Sequence, residues 1–505
     1  MLLCATVAGA QSDLDPLPAE LLDAARSALA QGAHDSAAAN LRQLRLLHPE
    51  SPLVAESLLL AAQVAAAQDN PYRERFLLTE ARRTVRGFAA SGVLDAGAAA
   101  GMRTAIAQRL GELLEQDRDY EGALRNFTEG IALLAARART ASSPAERRDL
   151  AHLRLAAARL THRYGVGPNG DAERYFDQID PAQLTGEASE TYRELARALM
   201  WNYLTPRELG LEDANISAIA TDGDDVWVGS WTGGLARYTH STGQQSVFSE
   251  GPRSLMSLRV RDIETVDDYI WVGTDRGLSV YALASSRWRH ELTIGDEQEP
   301  VALAAIATAG DTVFAGTLGQ GLWRDDGTGW HALEGALPGS FITALQVVGD
   351  TLWIGTIDLG LVSLDLASGA VRSFDEINPG LGPQNVTAIE PGADRALWIT
   401  TFGAGVYRWQ PEANRISHFS AAGGELPDDW VLSGAMGDNG MYFGTFGGGV
   451  AHYSQPGGSW SVISLAHGLP SLNVAVVTAV RGSVYFGTLG GGVAVLSERR
   501  SVHGL

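Results

Sequence analysis

The hexapeptide "TFGGGV" at 445–450 returns almost unchanged as "TLGGGV" at 488–493. Alignment on the small residue that opens the phrase finds seven copies, at 229, 273, 316, 355, 400, 444 and 487. The steps are 44, 43, 39, 45, 44 and 43 residues, and only Thr400 departs from glycine. A glycine-rich phosphate cradle is needed once, at the start of one helix, so a sevenfold phrase describes an architecture rather than a nucleotide site.

Each unit parses into four strands. An apolar run such as "ITALQVV" (342–348) leads through a tight Gly/Asp turn into a second run such as "LWIG" (352–355). Turns of the type "DGDD" (222–225) and "GD" (349–350) suit a short antiparallel connection. The second run is continuously apolar rather than alternating, which requires burial on both faces, as when one sheet lies between two others. The glycine that ends it removes a Cβ where backbones crowd. A third strand and a short fourth, such as "SVF" (246–248), complete the unit. Radially stacked four-stranded units of this period predict a seven-bladed β-propeller over 216–505.

The phrase "LWIGT…GGL…Y", carried by nearly every unit, resembles the two-component-regulator propeller repeat of bacteria. In that family the propeller is the extracytoplasmic sensor of a transmembrane signalling protein. Within this sequence no membrane span, kinase or DNA-binding helix pair follows the last repeat, so a signal would pass through a partner in trans. The ring closes either with whole blades or with a strand borrowed from 204–215.

From Pro16 to Tyr203 the apolar residues fall at helical spacing. Leu110-Gly111, Leu114, Ala123 and Phe127 occupy the Leu-Gly, large, small and aromatic places of a helix pair over 105–134. That segment resembles a tetratricopeptide repeat, with Gly130 where Ala is usual and no closing proline. An earlier unit matches in part through Leu21, Ala37, Leu41 and Pro49, whereas 71–100 fits poorly. An unrelated helical bundle fits the same periodicity. The expected fold is therefore a multidomain α plus β chain: an N-terminal all-α helical-repeat (TPR-like) solenoid over 16–203, a linker over 204–215, and the propeller of four-stranded antiparallel blades.

The opening "MLLCATVAGAQSD" has an apolar run and an Ala8-Gly9-Ala10 cleavage pattern, which reads as the remnant of an export signal over 1–10. Cys4, the only cysteine, would leave with it. The expected location is periplasmic or secreted. A formal net charge of -21 sets the chain against phosphate backbones, so no nucleic-acid partner is expected. No apolar run is long enough for a transmembrane segment.

Catalytic, metal and cofactor constellations are not found. His290, His331, His418 and His503 fall on outer strands of four different blades, His452 on a third strand, and His240 and His467 near loops. Outer strands of separate blades diverge, so these residues do not converge on one ion. The acidic turns lack a calcium loop's terminal Glu and are explained as β-turns. "RYTHSTGQQ" (237–245) and "SLDLASGAV" (363–371) resemble the strand-joining turns of quinone-cofactor propellers, but only these two blades show them. The sialidase box and the nucleophile elbow are both missing.

What remains is surface. The tips between second and third strands carry Trp231, Phe402 and Phe446, on the same face as loops "ALPGS" (336–340), "NPGLGPQN" (378–385), "ELPDDW" (425–430) and "GLPSLN" (468–473). These three aromatics are the expected ligand- or partner-binding residues; the alternative is that they fold inward and pack against adjacent blades. The expected function is a non-catalytic exported scaffold or adaptor, with protein partners held by the helical groove and the propeller face. A propeller that senses a small saccharide or cell-wall fragment through a partner is the alternative, and a propeller lyase or hydrolase ranks third.

Overall fold

The computed structural model describes residues 17–138, 143–168, 171–291, 302–333, 341–357, 359–373, 385–393, 395–411, 413, 415–455, 457–480, 482–498 and 500. The leader-like stretch with Cys4, loops 336–340 and 378–384, and His503 lie outside them. The chain forms two compact units, one up to Tyr192 and one from Arg193 onward.

In the first unit, helices pair with their sequence neighbours. α1 (Pro18–Ala30) packs on α2 (His34–Leu47), α3 (Leu53–Ala67) on α4 (Pro71–Ala90), and α5 (Ala96–Gln116) on α6 (Tyr120–Ala138). α7 (Pro144–Tyr164) and α8 (Asp171–Phe176) follow, and α9 (Glu187–Leu199) runs across the division between the units. Local chemistry sets the boundaries. Before α7, the Ser143 hydroxyl accepts from the Glu146 amide at 3.2 Å while the Glu146 carboxylate accepts from the Ser143 amide at 2.9 Å, and Gly165 ends the helix at φ 62°. Close packing follows from small residues. A Cβ on Gly111 would stand 2.4 Å from Phe127 Cε1, and one on Gly130 would stand 2.9 Å from Leu153 Cδ1. At Gly130, therefore, an added methyl would press on the Leu153 side chain of α7.

The second unit is a seven-bladed propeller of four-stranded antiparallel sheets, strands a to d in each blade running from the centre outward. Blade 1 comprises Ile216–Asp222, Asp225–Ser230, Leu235–Thr239 and Gln244–Phe248. Blade 7 takes only three strands from the end of the chain. Its fourth is Trp201–Leu204, paired antiparallel with Gly492–Ser497 so that Leu204 lies opposite Val493 and Trp201 opposite Leu496. The ring thus closes by strand exchange, as one of the two expected modes had it, but the closing strand begins before 204. It follows α9 with only Met200 between, so no turn residue marks the change from helix to strand. The segment after it instead forms a short helix, Pro206–Leu209.

The repeated phrase has a mechanical explanation. Strand b is buried along its length in every blade. Its terminal glycine faces strand a of the next blade: a Cβ on Gly229 would stand 2.4 Å from Val260 Cγ1, and one on Gly316 2.5 Å from Ile342 Cγ2. The hydroxyl residue after it locks the b–c turn. Thr317, Thr401 and Thr445, for example, each donate to the carbonyl of the glycine four residues on, at 2.8 Å. Thr400 breaks the glycine rule in blade 5. There the fourth residue of the following strand a is Gly434, where the other blades place Ile, Leu or Val. In other blades a Cβ at the place of Thr400 would come within 3.3 Å of the side chain at this position, Ile263, Leu345 or Val477, so a glycine at 434 leaves that space open.

Candidate binding face

Each b–c tip is tied to its own blade by a backbone hydrogen bond. The amide of Trp231 donates to Asn215, that of Phe402 to Asn385 and that of Phe446 to Trp430, at 3.0, 2.9 and 2.9 Å. The acceptor in each case is the residue immediately before strand a. Two concentric rings of side chains therefore frame one mouth of the central channel, tips outside and pre-strand residues inside. The rings are not uniform. Blades 4 to 6 present Phe341, Ile357, Phe402, Trp430 and Phe446, all exposed, whereas blade 2 presents Arg259 and Asp275, paired at 3.5 Å.

The expected aromatics are on this face and remain exposed: Trp231 is 47% accessible, Phe402 42% and Phe446 38%. Phe402 and Phe446 are joined by a residue that the sequence placed only in a loop, Trp430, itself 44% exposed. Its ring stacks on Phe402 with centroids 4.7 Å apart and lies 5.8 Å from Phe446. The three rings form a continuous row. Trp231, on blade 1, is covered instead by the Arg261 guanidinium at 5.3 Å. The signal that could have found Trp430 is its place, one residue before strand a in a blade whose tip partner is also aromatic.

Below the mouth, strands a enclose a channel of about 380 Å³ that contains Asp262, Glu264 and Glu390. None of these was singled out from the sequence, because each sits in a run that otherwise reads as a core strand. Asp262 accepts from its neighbour Ile263 and, across the blade interface, from the Ile306 amide at 2.9 and 2.7 Å. Burial still pushes it up to about 6. Glu264 and Glu390 have no hydrogen-bond partner among the described residues. Burial, reinforced by the Asp262 charge for Glu264 and by the Glu264 charge for Glu390, raises both to about 8. No histidine, lysine or arginine is among the channel's lining residues.

The histidines are spread as expected, on outer strands in three blades. Two of them bond nearby carbonyls: His290 meets Ser254 O at 2.9 Å and His418 meets Ala404 O at 2.8 Å. Among the described residues no group of three His, Cys, Asp or Glu is arranged to hold a metal ion. The acidic turn of blade 1 is occupied by the protein itself, Asp224 accepting from the Ser241 amide at 3.0 Å and Asp225 from the Arg237 guanidinium at 2.8 Å. The turn at 363–371 is likewise self-contained, with Asp365 accepting from the Ser368 amide and hydroxyl, both at 2.7 Å. In the helical unit, a groove of about 990 Å³ is floored by Phe127, Leu153 and Leu155 and walled by Glu112, His152 and the Arg159–Glu115 ion pair at 2.7 Å.

No family model matches the chain, and no curated protein does. Solved structures do. The extracellular domain of the one-component system BT4673 from B. thetaiotaomicron is 21% identical, with 59% of this chain and 40% of that one covered and a TM-score of 0.48. YCF48 bound to the D1 peptide is 14% identical over 59% of this chain and 95% of that one, TM-score 0.45. The WD40 propeller domain of Doa1 is 12% identical over 59% and 96%, TM-score 0.44. The chain spans about two-fifths of the length of the extracellular domains it matches. Among the described residues no helix is long and apolar enough to cross a membrane.

Proposed function

We propose that this chain is a non-catalytic, exported interaction protein whose propeller mouth docks a protein partner, with the helical groove available to a second. The observation that carries the reading is the row Phe402–Trp430–Phe446. Three large rings exposed side by side cost hydration free energy in the isolated protein, and a partner that covers them recovers it. Aromatic residues at the centre of a patch are also those whose truncation most weakens association. Of the channel carboxyls, Asp262 is already held by the backbone amides of Ile263 and Ile306, and this reading assigns the three no chemistry.

The test is in-envelope cross-linking of the full chain, followed by affinity measurement with the captured protein. Replacing Phe402, Trp430 and Phe446 together by alanine is expected to weaken binding by about 30-fold or more, the loss of one or two hot-spot residues. Unchanged affinity in a variant that keeps its melting temperature overturns the reading. A saccharide-sensing propeller would instead give a melting shift with sugars or cell-wall fragments, lost in the same variant, with no captured protein.

A further inference from the structure

Blade interfaces in this ring are filled by aromatic side chains at repeating register positions. One such position is the cross-strand pair between strands c and d. It is Tyr281–Trp288 in blade 2, Trp409–Ile416 in blade 5 and Tyr453–Trp460 in blade 6. Blades 1, 3 and 7 each place one aromatic there. Only blade 4 places none: its pair is Leu364–Val371. The facing position, on strand b of the preceding blade, is a tryptophan in blades 1, 2, 4 and 5 but Phe314 in blade 3. The interface between blades 3 and 4 is thus short of aromatic volume on both sides.

The deficit is visible as space. A cavity of about 300 Å³ opens between these two blades, walled by Phe314, Leu322, Leu333 and Leu364. That volume is at the lower end of small-molecule sites, roughly 300–1,000 Å³. Its polar boundary is asymmetric. Asp365 is engaged by Ser368 in its own turn. Arg324 lies opposite Phe314 on the neighbouring strand. In blades 1 and 5 the arginine at this register covers a tryptophan, Arg237 over Trp227 at 5.5 Å and Arg408 over Trp398 at 5.4 Å. At Arg324 the ring in that place is a phenylalanine. Its guanidinium reaches Asp326 at 3.4 Å through Nη2, while Nε is buried with no hydrogen-bond partner among the described residues.

We propose that this cavity is a binding site for a small, flat aromatic acid. The slot has the place that an indole or phenol ring fills in other blades, so a ring of that thickness packs against Phe314 and the leucines. The carboxylate of the ligand accepts from Arg324, giving the buried donor the acceptor it lacks. The site is separate from the aromatic row at the channel mouth and does not depend on it.

Titration calorimetry and thermal melting of the full chain with indole-3-acetate, with indole as the neutral probe, test the assignment. Indole-3-acetate is expected to bind at a single site and raise the melting temperature, with indole weaker by about 10-fold. Arg324→Met should equalise the two probes. Val371→Trp, or Leu364→Phe if the larger residue prevents folding, should abolish binding of both while keeping or raising the melting temperature, because the side chain occupies the slot. The triple alanine variant at the mouth should bind both probes as before. No heat and no shift at millimolar indole-3-acetate would overturn the proposal. So would binding that survives the filled slot, or binding that disappears with the mouth aromatics.

Discussion

Gly111 in the helical unit and Gly487 in the ring meet the same steric demand from different kinds of neighbour. A Cβ on either would stand 2.4 Å from another atom. For Gly111 that atom belongs to Phe127, on the adjacent helix of the same hairpin. For Gly487 the obstruction is double, Val476 of its own blade and Ile216 of blade 1 at 2.7 Å. Helices in the first unit pack mainly on their sequence neighbours, whereas closure of the ring joins residues far apart: the Thr478 hydroxyl donates to Ile219 O at 3.0 Å across a separation of 259 residues. A stack of hairpins can give way locally. A closed ring has no free end at which to relax.

The largest expected effect follows directly. Gly487→Val should lower the stability of the ring by about 3 kcal/mol or more, since neither neighbour can move without shifting a blade. Gly111→Ala should cost no more than about 1 kcal/mol, because a phenyl ring can turn and alanine gains about 0.8–1 kcal/mol of helix propensity. Urea unfolding followed at separate probes in the two units decides this; equal losses would break the comparison.

The Thr400–Gly434 exchange sharpens it. Gly434→Val should cost about 2 kcal/mol, as its side chain meets Phe443, whose Cδ1 would lie 3.1 Å from a Cβ there. Adding Thr400→Gly should recover part of that loss. A double-mutant cycle with coupling of about 1 kcal/mol or more supports exchange of volume across the interface, and additivity refutes it.

A smaller effect separates the units by pH. Asp262, Glu264 and Glu390 bind protons more tightly in the folded ring than in the unfolded chain. Their contribution to stability is complete below about pH 4 and is lost as pH rises through the folded values of about 6 and 8. The melting temperature of the ring should therefore fall as the pH rises from 5 to 9. The double change Glu264→Gln and Glu390→Gln should flatten that slope. A slope unaffected by the double change would remove the channel carboxyls as its cause.

The smallest effect belongs to the helical surface. Arg75 and Asp117 pair at 2.6 Å with both side chains well exposed, and Arg75→Ala should cost under about 1 kcal/mol, less still in high salt.

How much of this was legible depended on whether a feature repeats. Gly229, Gly316 and their equivalents declared the blades because five of the six glycines at this place face the same crowding, and a demand made repeatedly writes a period into the sequence. The placing of Phe402 and Phe446 on one face came from the same count. Trp430 escaped because its role depends on which tip stands beside it, and the period does not report pairings between particular blades. Asp262, Glu264 and Glu390 escaped for a related reason, since strand a reads as a strand whether its side chains meet a core or a channel.

The sequence by itself determined the blade number, the strand plan of every blade but the last and the helical character of most of the residues before them. These follow from local periodicity and from steric rules that any one unit obeys alone. Only the tertiary structure decided that Trp201–Leu204 closes the ring, that three aromatic rings form a row, that carboxyls share a channel and that one interface lacks its aromatic filling. Each of these is a relation between units brought together by closure, and the free energy of such a contact belongs to the pair rather than to either stretch of chain.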